Sequence, residues 1–323
     1  MLNLFKSNYQ RNLEIYQEYY DSCTAVNTRT IDTTYATYRY NMMYFFNWLK
    51  DNGDYYILNK RFVKKCAEVM EHYIAYCKTV RGNSNQTLHK KITAVSSFYI
   101  WALRRNLVDR HPTNLILRRP TVTQQDKIRK SYFLTIEQIH QIFDTMEEEN
   151  WSNRDKLIFS LLLDTGMRIN ALYNLKIEQL DMDEMCFMNA HEKMGKVIDY
   201  VFFERTKKYL EDYLEERSSL LEETNTETDW LLITNYGGIR HMSKETIRER
   251  VRKIGKIVGI KNFYPHSIRK TSINLVSKAM GIEVASEFAN HEKTDTTKTH
   301  YVQPKSPAEK RKDILEARKK LNI

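Results

Sequence analysis

"MCFMNAHEKMGKVIDYVFF", residues 185–203, is the stretch that decides the fold class. Its ends, "MCFMNA" and "VIDYVFF", are apolar and rich in aromatic or β-branched residues, and the "HEKMGK" between them is polar. That is the pattern of a hairpin. The sequence around it has helical apolar spacing, and only 9 glycines and 5 prolines interrupt 323 residues. The expectation is a mainly α fold with a small antiparallel sheet, an α+β protein. "DWLLIT" (229–234) is a candidate third strand.

Toward the amino terminus the period is 3 to 4. Tyr38, Met42, Phe45 and Leu49 form one stripe in 30–52, which Gly53 closes. Phe62, Cys66, Met70, Tyr73 and Cys77 share a face of 61–79, and Leu88, Ile92, Val95, Tyr99 and Leu103 share one in 85–105. With a weaker pattern at 7–21, residues 1–112 read as a small helical bundle. The pattern fades across 113–131, where "TVTQQDKIRKS" is polar and aperiodic, and this is the expected linker. A second domain, 132–305, opens on a capping box of Thr135 and Gln138. Its first buried-looking helix, 154–164, stops at "DTGMR", and further helices are expected at 243–257, 266–280 and 282–289. Residues 306–323 form a basic tail with helical spacing.

The chain carries 51 Lys and Arg against 41 Asp and Glu, a formal charge of +10, which makes a polyanion the natural partner and nucleic acid the first choice. Lys90 and Lys91 on one helix, and Arg248, Arg252 and Lys256 on another, are candidates for phosphate contact, as is Lys196 in the hairpin turn. Glu245 and Glu249 share the second helix, so a solvated charged face fits it equally well. The four cysteines, Cys23, Cys66, Cys77 and Cys186, show neither CxxC nor Cys/His pairing, which argues against a disulfide framework or a zinc site. No apolar run reaches the ~20 residues of a membrane span, so a cytoplasmic protein without membrane contact is expected.

Three groups carry potential chemistry. Arg168 in "DTGMRIN" follows Gly166, which can end a helix with positive φ and so fix the arginine at a turn; alone, it reads more readily as a surface helix-end arginine. In "YPHSIRKTS", Pro265 at a helix start puts His266 and Arg269 on one face, a pairing that suits a phosphate but also occurs incidentally. In "NHEKTDTTKTHY", Tyr301 stands in polar surroundings ten residues after His291. Phenol has a pKa of about 10, so attack on a phosphodiester requires nearby cations. Two arginines and two histidines would supply them without a metal or cofactor, and the sequence shows no acidic metal cluster.

The order "TGMR", "HSIRKT", "NHEKTDTTKTHY" resembles the tyrosine recombinases, also called phage-type integrases. The resemblance implies that a core-binding and a catalytic domain clamp double-stranded DNA at recombination sites. Arg168 and Arg269 would hold the scissile phosphate, His266 would assist proton movement, His291 would hydrogen-bond the phosphate, and Tyr301 would attack phosphorus to give a 3′-phosphotyrosyl link. It places the general acid, a lysine, in the hairpin turn: Lys193 first, Lys196 second. It also implies a homotetramer on DNA passing through a Holliday junction, a monomer when free, and accessory DNA-bending or directionality proteins. Integration and excision of a mobile element is the expected use, with a type IB topoisomerase or an inactive DNA-binding regulator as rivals. The tail would dock on a neighbouring protomer or bind DNA. Three departures stand out: Asn290 where many members have glycine, Ala171 where many have an acidic residue, and one extra residue between His291 and Tyr301. Because Arg269 would work at the phosphate, Arg269→Ala is expected to leave folding little changed.

Overall fold

In the computed structural model the chain divides into two compact units, Met1–Arg129 and Lys130–Ile323. The structure describes residues 6–26, 30–113, 117–123, 132–192, 196–291, 294–302 and 311. Much of the expected linker, Lys193, and all of the tail except Arg311 lie outside the described residues.

The first unit contains α1 (Asn8–Val26), a wide helical turn (Ile31–Tyr35) running into α2 (Ala36–Asp51), α3 (Lys60–Thr79) and α4 (Asn85–Arg104). Asn59 and Ser84 cap α3 and α4 by accepting from Arg61 N and Thr87 N, which satisfies donors the helices cannot use internally. The core is aromatic: Tyr16, Phe45, Phe46, Tyr73, Phe98 and Tyr99 are all buried. Buried Asn12 ties the loop after α2, its Nδ2 donating to Tyr55 O at 2.8 Å and its Oδ1 accepting from Ile57 N at 2.9 Å. Leu103, expected to face inward, is exposed, and Ala102 is buried in its place. The reason is the helical period: the inward stripe Leu88, Ile92, Val95, Tyr99, Ala102 alternates steps of four and three, and a second step of four from Tyr99 drifts off the buried face.

The second unit begins with α5 (Ile136–Glu148), whose capping box at Thr135 and Gln138 forms as expected. There follow α6 (Asn153–Thr165), α7 (Ile169–Tyr173), a short 3₁₀ turn (Ile177–Gln179), and the antiparallel strands β1 (Leu180–Asp181), β2 (Cys186–His191) and β3 (Val197–Val201) in that sheet order. Next come α8 (Glu204–Thr224), the hairpin β4 (Ile233–Asn235) and β5 (Ile239–His241), and then α9 (Lys244–Ile257), α10 (Pro265–Met280), α11 (Ile282–Phe288) and α12 (Thr294–His300). The third strand of the larger sheet is therefore Leu180–Asp181 and not "DWLLIT". Leu231 and Leu232 of that segment are buried, with Tyr213 Oη donating to Leu231 O and accepting from Ile233 N, both at 3.1 Å. Ile233 onward pairs as a strand with β5, while Trp230 makes an isolated antiparallel bridge with Lys176.

The β2–β3 ladder shifts register between Phe187 and Ala190, and Asn189 adopts φ 54° there. This bulge changes which side chains face the core, because one added residue reverses strand parity. Phe187 faces inward before the bulge, and Ala190 and Glu192 turn inward after it. The helices pack around them a core that includes Phe159, Leu161, Leu172, Phe202, Leu210, Val251 and Phe263. All four cysteines are buried free thiols, and among the described residues no helix is long and apolar enough to cross a membrane.

Gly255 in α9 lies where a Cβ would stand 2.2 Å from Phe263 Cβ and 3.0 Å from Ile260 O. Gly255→Ala gains about 1 kcal/mol of helix propensity and suffers overpacking of about 1–3 kcal/mol. Its urea unfolding midpoint is therefore expected to fall; a midpoint at or above the parent's contradicts this packing.

Candidate active site

Three helix ends meet at one place. Leu162 O accepts from Gly166 N at 3.1 Å, and Gly166 closes α6 at φ 57°, where a Cβ would meet the Phe288 ring at 2.8 Å. Only glycine reconciles that turn with that contact. Two residues on, Arg168 caps the start of α7. Pro265 takes the first position of α10, as the sequence suggests, and this sets Arg269 one turn in, facing the core. At the end of α11, Asn290 adopts φ 53° in the glycine-like conformation that asparagine tolerates, and His291 N bonds back to Ser286 O at 3.0 Å. That departure from the family pattern is absorbed locally.

Arg269 is 1% exposed. Its guanidinium donates to Gly166 O, to Ala289 O at 2.6 Å, and approaches His291 Nε2 at 3.3 Å. Its Cζ also stands 5.5 Å from the centre of the Tyr301 ring. Burial pushes the Arg269 pKa down and the Arg168 charge adds to that, while Tyr301 and Glu192 oppose it. The group remains a cation across biological pH.

Tyr301 follows α12 directly, and its N bonds Thr297 O at 2.9 Å. Despite the polar sequence around it, the side chain is 7% exposed and packs on Ile273, Ala285 and Ala289. The His291 ring centre lies 4.6 Å from the Tyr301 ring, and the exposed His266 ring lies 5.2 Å away, edge to face. His291 Nδ1 is hydrogen-bonded to Thr297 Oγ1 at 2.7 Å, so one turn of α12 fixes both ring and phenol. With one residue more than the commonest family spacing between them, His291 and Tyr301 still meet ring to ring.

The structure thus brings Arg269, His266, His291 and Tyr301 together. Arg168 is linked to the same place through Glu192, whose Oε2 it pairs with and whose charge reaches Arg269. Two guanidinium groups and two imidazoles beside a phenol suit a phosphate diester, binding its oxygens and offsetting charge that develops on them.

The remaining expected contacts divide. Lys90 and Lys256 are exposed. Lys196 is half-buried, and its carbonyl accepts from Glu192 N at 2.8 Å. Lys91 is a correction: it is buried, with Nζ 3.4 Å from Tyr73 Oη and 4.8 Å from the centre of the Tyr44 ring, so its charge is spent on the unit's own aromatics. Its stem lies on the inward stripe beside Ile92, where the helix cannot present it to solvent. Arg248 and Arg252 both bond Glu245, at 3.1 and 2.5 Å, which favours the solvated charged face for that part of α9.

Glu192, Tyr200 and Thr297 escape the sequence reading. Tyr200 Oη donates to Glu192 Oε1 at 2.6 Å, and burial followed by that hydrogen bond holds the phenol well above its ordinary pKa. Strand alternation gave no signal for Glu192, because counting by twos from Phe187 would turn it outward.

The expectation that Arg269→Ala spares folding is revised by this geometry. It would leave Gly166 O and Ala289 O buried without that donor, at about 1–3 kcal/mol per group. Thermal unfolding of Arg269→Ala is expected at a clearly lower temperature than the parent; an unchanged midpoint would mean these bonds are dispensable.

Comparison with known proteins agrees with the site's pattern. The model of the phage integrase family matches residues 132–306. Tyrosine recombinase XerC of Lactobacillus delbrueckii subsp. bulgaricus is 28% identical over 221 residues, 67% of this chain and 72% of that protein. Tyrosine recombinase XerD of Staphylococcus epidermidis is 25% identical over 275 residues, 83% of this chain and 87% of its own length. Among solved structures, the XerH site-specific recombinase bound to palindromic difH substrate superposes with a TM-score of 0.71 at 15% identity, covering 98% of this chain and 97% of that one. The Tn1549 transposon integrase in complex with transposon right end DNA gives 0.63 at 14% identity, covering 96% and 99%. The structural likenesses establish the mainly helical fold with small antiparallel sheets, and the family match covers the segment that holds every one of the converging side chains. The chain belongs to the phage integrase family, the tyrosine recombinases.

Proposed function

We propose that the chain cuts and rejoins double-stranded DNA at specific sites, with Tyr301 as nucleophile. The observation that carries this reading is the seating of the Tyr301 ring against His266, His291 and Arg269, with a second guanidinium, Arg168, joined through Glu192. Tyr301 Oη attacks phosphorus, the P–O5′ bond breaks, and the phosphate then bridges Tyr301 Oη and the 3′ oxygen of the cut strand. Arg168 and Arg269 neutralise the non-bridging oxygens, His291 donates to one of them, and His266 takes part in moving the phenolic proton. Lys193 in the hairpin turn protonates the departing 5′ oxygen, with Lys196 as the second choice. One ester replaces another, so the reverse attack by a 5′ hydroxyl rejoins the strand without an external energy source.

In this reading residues 1–112 form the core-binding domain, 113–131 the linker, 132–305 the catalytic domain and 306–323 a tail that docks on a neighbouring protomer or binds DNA. Four protomers hold two duplexes and pass through a Holliday junction, with accessory proteins setting direction. The proposed use is integration and excision of a mobile element, with resolution of chromosome dimers as the rival assignment.

The test begins with fragmented genomic DNA incubated with the chain, from which covalent adducts are recovered under denaturing conditions and sequenced. Sequences at the ends of a movable element support the proposed use; one chromosomal locus assigns the chain to dimer resolution. On a nicked suicide duplex of the recovered sequence, the parent is expected to accumulate a 3′-linked adduct with a free 5′ hydroxyl, and Tyr301→Phe none. His291→Ala is expected to slow adduct formation by about 10²–10³. Specific binding without any adduct would make the chain a regulator, and relaxation of one duplex without strand exchange a topoisomerase.

A further inference from the structure

We infer that Glu192 is the positioning residue for Arg168, supplied across the site from the hairpin. This rests on the proposed role of Arg168 at the scissile phosphate. The Glu192 side chain is 2% exposed while that of Arg168 is 32% exposed, so a buried carboxylate holds the inner side of a guanidinium whose outer side meets solvent. Oε2 pairs with Arg168 Nη1, and Oε1 accepts from buried Tyr200, so both carboxylate oxygens are fixed. A carboxylate held in this way orients the arginine's fork before any phosphate arrives. It also sets one negative charge against the mutually unfavourable Arg168 and Arg269 charges.

Helix α7 offers no such group: Ala171, one turn after Arg168, is buried and apolar. The hairpin makes up for it through its backbone. Counting by twos from inward Phe187 would place His191 inside and Glu192 outside. The bulge at Asn189, whose N donates to Asp199 Oδ1 at 2.8 Å and whose O accepts from Gln179 Nε2 at 2.9 Å, reverses that parity and turns Glu192 under Arg168. Glu192 also directly precedes Lys193 in the sequence, and Glu192 N donates to Lys196 O at 2.8 Å. One residue therefore joins Arg168 through its side chain and Lys196 through its backbone.

The test uses the full chain and the nicked duplex recovered above, in single-turnover cleavage. Glu192→Gln is expected to cleave about tenfold or more slowly than the parent, because a small misplacement of a phosphate-binding group has a large effect on rate. DNA affinity should stay within about twofold, since exposed phosphate contacts elsewhere dominate binding. Tyr200→Phe, which keeps volume and charge but frees Oε1, should show a smaller loss in the same direction and carries the test if Glu192→Gln fails to unfold cooperatively. A duplex with a neutral methylphosphonate at the scissile position gives Arg168 less charge to neutralise, so the parent-to-variant ratio should shrink on it. A ratio equal on both duplexes marks a general structural defect and overturns the inference, as does cleavage by both variants at or above the parent rate. Absence of adduct from the parent itself would instead sink the proposed function, and this inference with it.

Discussion

The guanidinium of Arg269 lies almost wholly out of water and gives its hydrogens to the carbonyls that end two helices, Gly166 O of α6 and Ala289 O near the end of α11. Helix C-termini carry unpaired carbonyls and partial negative charge, so a buried cation is well matched there. The arrangement is demanding, because its Nε finds no hydrogen-bond partner among the described residues and burial opposes its charge. Tyr301, His291 and the turn before Arg168 are all placed relative to this one group. The side chain best suited to a phosphate is thus also the one that assembles the place where a phosphate would sit.

That double duty explains the rest of the site's construction. Two cations close together in a partly dry place repel, and the free chain needs an internal counter-charge that does not cover the outward faces. Glu192 supplies it from beneath, held by Tyr200, while Thr297 Oγ1 holds His291 Nδ1. Left-handed conformations at Gly166, Asn189 and Asn290 mark the points where the backbone turns to aim a side chain, and each lies within three residues of a group that faces the site.

Much of this was legible in the chain. Arg168, His266, Arg269, His291 and Tyr301 announced themselves through residue type and order, Pro265 and the Thr135 box marked helix starts, and the hairpin showed as a change of period. Lys91 did not, because a lysine's charge says nothing about whether its stem lies on the inner stripe of a helix. Nor did Glu192, because a bulge inverts strand parity and is set by how the β2–β3 ladder closes. The partners of "DWLLIT" were hidden for a related reason: apolar character tells that a segment is buried, and its partners Tyr213, Leu175 and Met242 come from other parts of the chain.

The sequence by itself determined the helical periodicity, the position of the hairpin and the set of groups capable of phosphate chemistry, since these depend on residue type and local spacing. Only the tertiary structure decided that Tyr301 is enclosed by an apolar wall, that Arg269 is structural as well as cationic, and that a carboxylate crosses from the hairpin to Arg168. Those facts arise from contacts between residues 12 to 103 positions apart in the chain, as with Tyr301 to Ala289 and Arg269 to Gly166. Such contacts exist only once the helices have packed.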